Sequence, residues 1–148
     1  MKITGIGHTG ITVKNLEESI KFYNGILGFK VDHAPCDMVE DQEESKGLGV
    51  PGSIHRICQL EVVEGQYIEL MEFAGVPSPN DEPLPLNQIG SQHISFVVDN
   101  LVSWVEKLNS HGIQFLYKPV PYYNPDESVS WWALFKDPDG IIVELLQL

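Results

Sequence analysis

Two histidines and two glutamates carry the strongest chemical signal in this chain. HTGITVKNL at residues 8–16 aligns without a gap on HISFVVDNL at residues 93–101, so His8 and His93 open two copies of one pattern. The copies also end alike, YIEL at 67–70 matching IVEL at 142–145, which places Glu69 and Glu144 at equivalent positions. A repeat that opens on an imidazole and closes on a carboxylate supplies two nitrogens and two carboxylates when its halves pack together. That donor set suits one divalent metal ion. The bland alternative, that the glutamates face solvent and the histidines satisfy backbone groups, holds well for any one of the four. It holds poorly for four residues at matched places in a duplication.

The elements that must position these groups follow from patterning. Ile3–Val13 reads as a glycine-tolerant strand, and Asn15 caps a helix carrying Leu16, Ile20, Tyr23 and Leu27 at helical spacing until Gly28 stops it. Phe29–His33 restarts as a strand. Residues 35–53, acidic and then glycine-rich, read as a solvated or lid-like loop. Ile54–Val63 and Gln66–Phe73 form a hairpin around Glu64 and Gly65. The second half repeats the order: strand His93–Val98, helix Leu101–Ser110 stopped at Gly112, strand Ile113–Tyr117 and a Pro/Tyr-rich loop at 119–128. Its closing hairpin, Ser130–Lys136 and Ile141–Leu146, turns at DPDG, residues 137–140. Each half is therefore β-α-β-β-β. The boundaries expected are a first module over 1–75, a Pro-rich linker over 76–90 and a second module over 91–148.

Strand alternation puts Glu69 on a face with Tyr67, Met71 and Phe73, and Glu144 on a face with Ile142 and Leu146. A carboxylate among apolar neighbours is costly unless it is paired or ligates a metal. Basic partners are few: the chain holds nine Lys and Arg against 21 Asp and Glu, a net charge of -12, and Arg56 is its single arginine. That balance excludes nucleic acid as a partner, since phosphate binding needs a basic face. No apolar run approaches the roughly 18 residues of a membrane span and the N-terminus has no signal core, so a cytoplasmic location is expected. Cys36 and Cys58 read as reduced thiols and are assigned no role. Arg56 is a candidate anion anchor for a small-molecule substrate. Trp132 and Tyr123 are candidates to line an apolar pocket, because one residue of each pair WW (131–132) and YY (122–123) must face inward.

This arrangement resembles the vicinal oxygen chelate superfamily, the glyoxalase, bleomycin-resistance and extradiol dioxygenase group built from paired βαβββ modules. The resemblance rests on GHTGITV at 7–13, NLEESIKFY at 15–23, LGF at 27–29, IEL at 68–70, HISFVVD at 93–99 and FKDPDGIIVEL at 135–145. It implies an α+β fold of two tandem βαβββ modules whose curved, mostly antiparallel sheets surround a metal-binding cleft. The His, Glu, His, Glu order is most similar to glyoxalase I. It implies His8, Glu69, His93 and Glu144 as ligands of one divalent ion per site, nickel, cobalt or zinc. It also implies a lyase or isomerase in which an enediolate forms after a proton is lost next to a carbonyl, with Glu144 as base and Glu69 as its counterpart. Two other readings stay open: an iron- or manganese-dependent dioxygenase, and a metal-free ligand-binding protein like the bleomycin-resistance members. Glyoxalase I binds glutathione carboxylates with basic side chains, which this chain lacks apart from Arg56 and eight lysines. In this family modules pair edge to edge, and a homodimer with sites across subunits is expected.

Overall fold

The computed structural model describes residues 1–80 and 82–148, and the chain divides into two compact units, Met1–Pro79 and Asn80–Leu148. The division falls inside the expected Pro-rich linker, of which Asp81 lies outside the described residues. The first unit holds β1 (Thr9–Val13), α1 (Leu16–Ile20, continued by a π-helical turn over Lys21–Ile26), β2 (Lys30–His33), α2 (Gln42–Gly47), β3 (Ile54–Val63) and β4 (Gln66–Ala74). The second holds β5 (His93–Val97), α3 (Leu101–Ser110), β6 (Val120–Tyr123), β7 (Val129–Lys136) and β8 (Ile142–Gln147). Each unit is one open four-stranded sheet, in the orders β1-β4-β3-β2 and β5-β8-β7-β6. In each, the first strand pairs in parallel with the last, and the other two pairings are antiparallel. This is the tandem βαβββ architecture.

The helices sit where their sequences cap them. Asn15 and Asn100 take extended backbone angles, and their side chains accept from Glu18 N and Ser103 N, satisfying N–H groups that the first helical turn leaves without partners. From cap to terminal glycine the first helix is one residue longer than the second, Asn15 to Gly28 against Asn100 to Gly112. The extra residue is taken up in the π-helical turn, the usual way a single insertion is absorbed by a helix. Gly28 and Gly112, with φ of 87° and 79°, close the helices in the left-handed region.

α1 and α3 each cover one face of their own sheet. In the first unit Leu16, Tyr23, Leu60, Ile68 and Leu70 are buried together, Tyr23 stacking on Phe29 and meeting Phe22 edge-on. In the second unit Leu101, Leu108, Ala133, Phe135, Val143 and Leu145 form the core. Burial of each large apolar side chain favours folding by about 1.5–3 kcal/mol, which makes this face the stabilising one. The other face of each sheet is only half-buried.

Three expectations differ from the structure. The first strand begins at Thr9 rather than Ile3, and Ile3 and Ile6 are exposed, because the parallel ladder starts at Thr9 opposite Ile68 and β4 itself begins only two residues earlier, at Gln66. The acidic segment 35–53 contains α2, whose cap Asp41 accepts from the Glu43 and Glu44 N–H groups. The strand expected at Ile113–Tyr117 makes only a single bridge, Phe115 to Phe135, and the strand lies instead at Val120–Tyr123, where a loop was expected. Pro121 is tolerated there because β6 is an edge strand and one side of it needs no donors. Among the described residues no helix is long and apolar enough to cross a membrane.

Candidate functional site

Glu69 and Glu144 project from the strands in the middle of each sheet, on the face away from the helix. Glu69 has Gly10 of β1 on one side and Gln59 of β3 on the other. Glu144 has Ser95 of β5 and Leu134 of β7. A Cβ at Gly10 would stand 3.0 Å from the Met71 methyl, the far end of a flexible side chain.

Each glutamate meets the histidine of its own half. His8 Nε2 lies 3.5 Å from Glu69 Oε1, and His93 Nε2 lies 3.5 Å from Glu144 Oε2. The two pairs are alike in exposure as well: the glutamate side chains are both 18% exposed and the histidines 44% and 47%. At that distance the pairs are loose as hydrogen bonds. The separation is slightly wider than the about 3.0–3.4 Å that two atoms each about 2.1 Å from one ion at octahedral or tetrahedral angles would show. An imidazole nitrogen beside a carboxylate oxygen is a donor pair that suits a divalent ion, and each half holds one such pair. In neither unit do three or more His, Cys, Asp or Glu side chains gather, among the described residues.

The helix face of each sheet carries a second matched pair that sequence reading missed. Glu72, three residues beyond Glu69, accepts the Leu16 N–H at 2.7 Å, and Gln147, three beyond Glu144, accepts the Leu101 N–H at 2.7 Å. Each ties the start of a helix to the strand that carries the glutamate of the His–Glu pair. The same spacing in both copies was a signal available in the sequence.

Arg56 is not on the glutamate face. Its register partner is Glu72, so it projects toward α1, where it donates to both Glu17 carboxylate oxygens (2.6 and 2.7 Å) and to Glu72 (2.8 Å). The hydrogen bond to Arg56 holds the Glu17 carboxyl below its ordinary pKa, and the two carboxylates push the guanidinium higher still. The reading of Arg56 as a substrate anchor is thus corrected: it fastens helix to sheet. Trp132 pairs with Leu146 and shares the face of Glu144, as alternation requires. Tyr123 does not. The β6–β7 register puts Tyr122 on the Trp132 face and leaves Tyr123, 74% exposed, on the opposite one. His55 is buried against Phe73 with Nε2 3.4 Å from Glu44, a packing role. Burial raises the Cys58 thiol pKa, and Cys36 is exposed.

A family model described as "Glyoxalase/Bleomycin resistance protein/Dioxygenase superfamily" matches residues 5–145, almost the whole chain. The chain belongs to this superfamily. Within the superfamily it is 29% identical over 95% of its length to a lactoylglutathione lyase of Schizosaccharomyces pombe, of which it spans 46%. It is 28% identical to a lactoylglutathione lyase of Pseudomonas aeruginosa, covering 95% of this chain and 80% of that one. The chain thus spans about half the length of the first relative and most of the second. A glyoxalase family protein of Bacillus cereus shares the fold, with a TM-score of 0.84 at 21% identity over 99% of this chain and 95% of that one.

Proposed function

We propose that this superfamily member is a divalent-metal-dependent lyase or isomerase of glyoxalase type. The observation that carries the reading is the duplicated His–Glu pair, with the same 3.5 Å separation and the same carboxylate exposure in both halves. His8, Glu69, His93 and Glu144 would hold the ion. When bound, the ion would polarise a substrate carbonyl and make the adjacent C–H more acidic. Glu144 is assigned as the base that takes that proton, with Glu69 as its counterpart, a positioned carboxylate being a side chain that serves as general base. Trp132 and Leu146 border Glu144 and would exclude water on that side.

β1 and β5 are edge strands of their sheets. We place a first module against a second module edge to edge, across the subunits of a cytoplasmic homodimer, so that two pairs complete each site. The substrate is a small oxygenated metabolite or its thiol adduct. Arg56 is engaged by two carboxylates and the chain is strongly acidic, which disfavours an adduct as anionic as glutathione's. Four protein ligands with two carboxylates also fit a lyase better than the two-His, one-carboxylate site of an iron dioxygenase.

Metal analysis of untagged protein, before and after dialysis against chelator, tests the reading. One nickel, cobalt or zinc ion per site is expected. Protein that takes up no divalent ion would refute it.

A further inference from the structure

The two ligand carboxylates occupy equivalent positions, yet their neighbours differ. Where Glu144 has Leu134 across the strand, Glu69 has Gln59. Gln59 is in turn paired with His33 of β2, whose Nδ1 lies 3.2 Å from Gln59 Oε1 and 2.8 Å from Asp32 Oδ2. Asp32 and His33 are consecutive, and on a regular strand they would point to opposite faces. A register shift between Val31 and His33 brings both side chains together. Bulges of this kind re-aim side chains and recur beside functional sites.

Both groups facing His33 Nδ1 are acceptors, so that nitrogen carries the proton. Its bond to Oε1 commits that end of the Gln59 amide, which leaves the NH₂ end available as a donor. Directly opposed antiparallel residues have Cβ atoms roughly 4.5–5.5 Å apart, within reach of an amide and a carboxylate. His8 stands at Glu69 Oε1, which leaves Oε2 as the target. We infer that Gln59 is a positioning residue for Glu69 in the metal-loaded protein, its amide NH₂ then donating to the carboxylate while His33, paired with Asp32, holds the Oε1 end of the amide. The assignment rests on the metal-ligand reading of the His–Glu pairs. It also separates the two halves chemically: Glu69 is the ligand held by its neighbour, and Glu144, beside Leu134, is the one left free to move.

The test is the Ni²⁺ affinity of wild type, Gln59→Leu, His33→Ala and the double variant, by competition with a chromophoric chelator, alongside apo thermal midpoints. Leucine copies the residue found at the matched position of the second half, so the fold should persist. His33 is 76% exposed on its side chain, so its truncation keeps the test open should the leucine disturb the sheet. Gln59→Leu is expected to weaken Ni²⁺ binding about 10- to 100-fold, as loss of a group that orients a ligand does. His33→Ala should weaken it by a smaller factor. The double variant should bind like Gln59→Leu alone, because His33 acts through Gln59. Unchanged affinity in Gln59→Leu, or effects of the two variants that multiply, would overturn the assignment. Wild-type protein that binds no Ni²⁺ overturns the underlying metal reading instead, a separate result.

Discussion

Glu72→Ala and Glu72→Gln separate two roles that one side chain combines. Glu72, 15% exposed on its side chain, accepts the N–H of the fully buried Leu16 and a bond from Arg56 on the same oxygen. Alanine leaves a buried helical donor without its acceptor, which costs about 1–3 kcal/mol. With a midpoint of about 2 kcal/mol and about 2–4 °C lost per kcal/mol in a chain of this size, the thermal midpoint should fall by about 4–8 °C. If the first unit melts by itself the fall should be about twice that. Glutamine keeps an acceptor for Leu16 and loses only the charge assistance toward Arg56, a loss of about 0.5–1 kcal/mol. Gln147 already performs the capping as a neutral amide in the second half, which is why glutamine should serve here. Thermal unfolding at neutral pH, checked by urea titration, reads the difference. Equal losses for the two variants would show that the charge and not the cap matters. Metal uptake should survive both changes, because Glu72 is on the face opposite Glu69.

Further outcomes follow from the same geometry. His8→Ala and Glu144→Ala should each abolish stoichiometric metal binding with the fold retained; full occupancy in either, by metal analysis, would remove that residue from the ligand set. Mixing the two variants should restore part of the activity if sites are shared across a dimer, and none if each chain builds its own. Arg56→Ala should lower the thermal midpoint while leaving substrate KM unchanged, the reverse of an anion anchor. Asp41 caps α2 through the Glu44 and Glu43 N–H groups, which lowers its pKa below 3.8. That contribution is complete above the unfolded value and disappears as pH falls through the depressed one. Proteolysis within 35–53 should therefore rise below about pH 4, and pH-independent cleavage would contradict the cap.

The duplication made most of the fold legible. Matched histidines, matched Asn caps and matched Glu strands set the order of elements and the face of each glutamate without knowledge of any contact. Residues whose roles depend on register were not legible. A two-residue turn at Glu64 and Gly65 alone would set Leu60 opposite Glu69; the shift between Glu61 and Val63 substitutes Gln59. Nothing in the local sequence announces that shift. Arg56 was misplaced for a related reason, since its face follows from the same register and its partner Glu17 is 39 residues away. Tyr122 and Tyr123 differ only in which one opposes Ser130, a choice that the position of β6 decides.

The parallel pairing of first and last strands has a consequence for how these modules assemble. Each His–Glu pair joins the two ends of its module, 61 positions apart in the first and 51 in the second. The pair therefore exists only once the last strand has inserted beside the first. Closing the longer chain segment costs only about 0.2 kcal/mol more than closing the shorter, which is why the first module can carry its longer acidic segment without harm. Order of formation matters more than this small difference. Helix and hairpin can form early from nearby residues, whereas the strand pair that brings imidazole to carboxylate waits for the longest loop to close. A nascent or partly unfolded module cannot present the pair, so the juxtaposed imidazole and carboxylate are a property of completed modules alone.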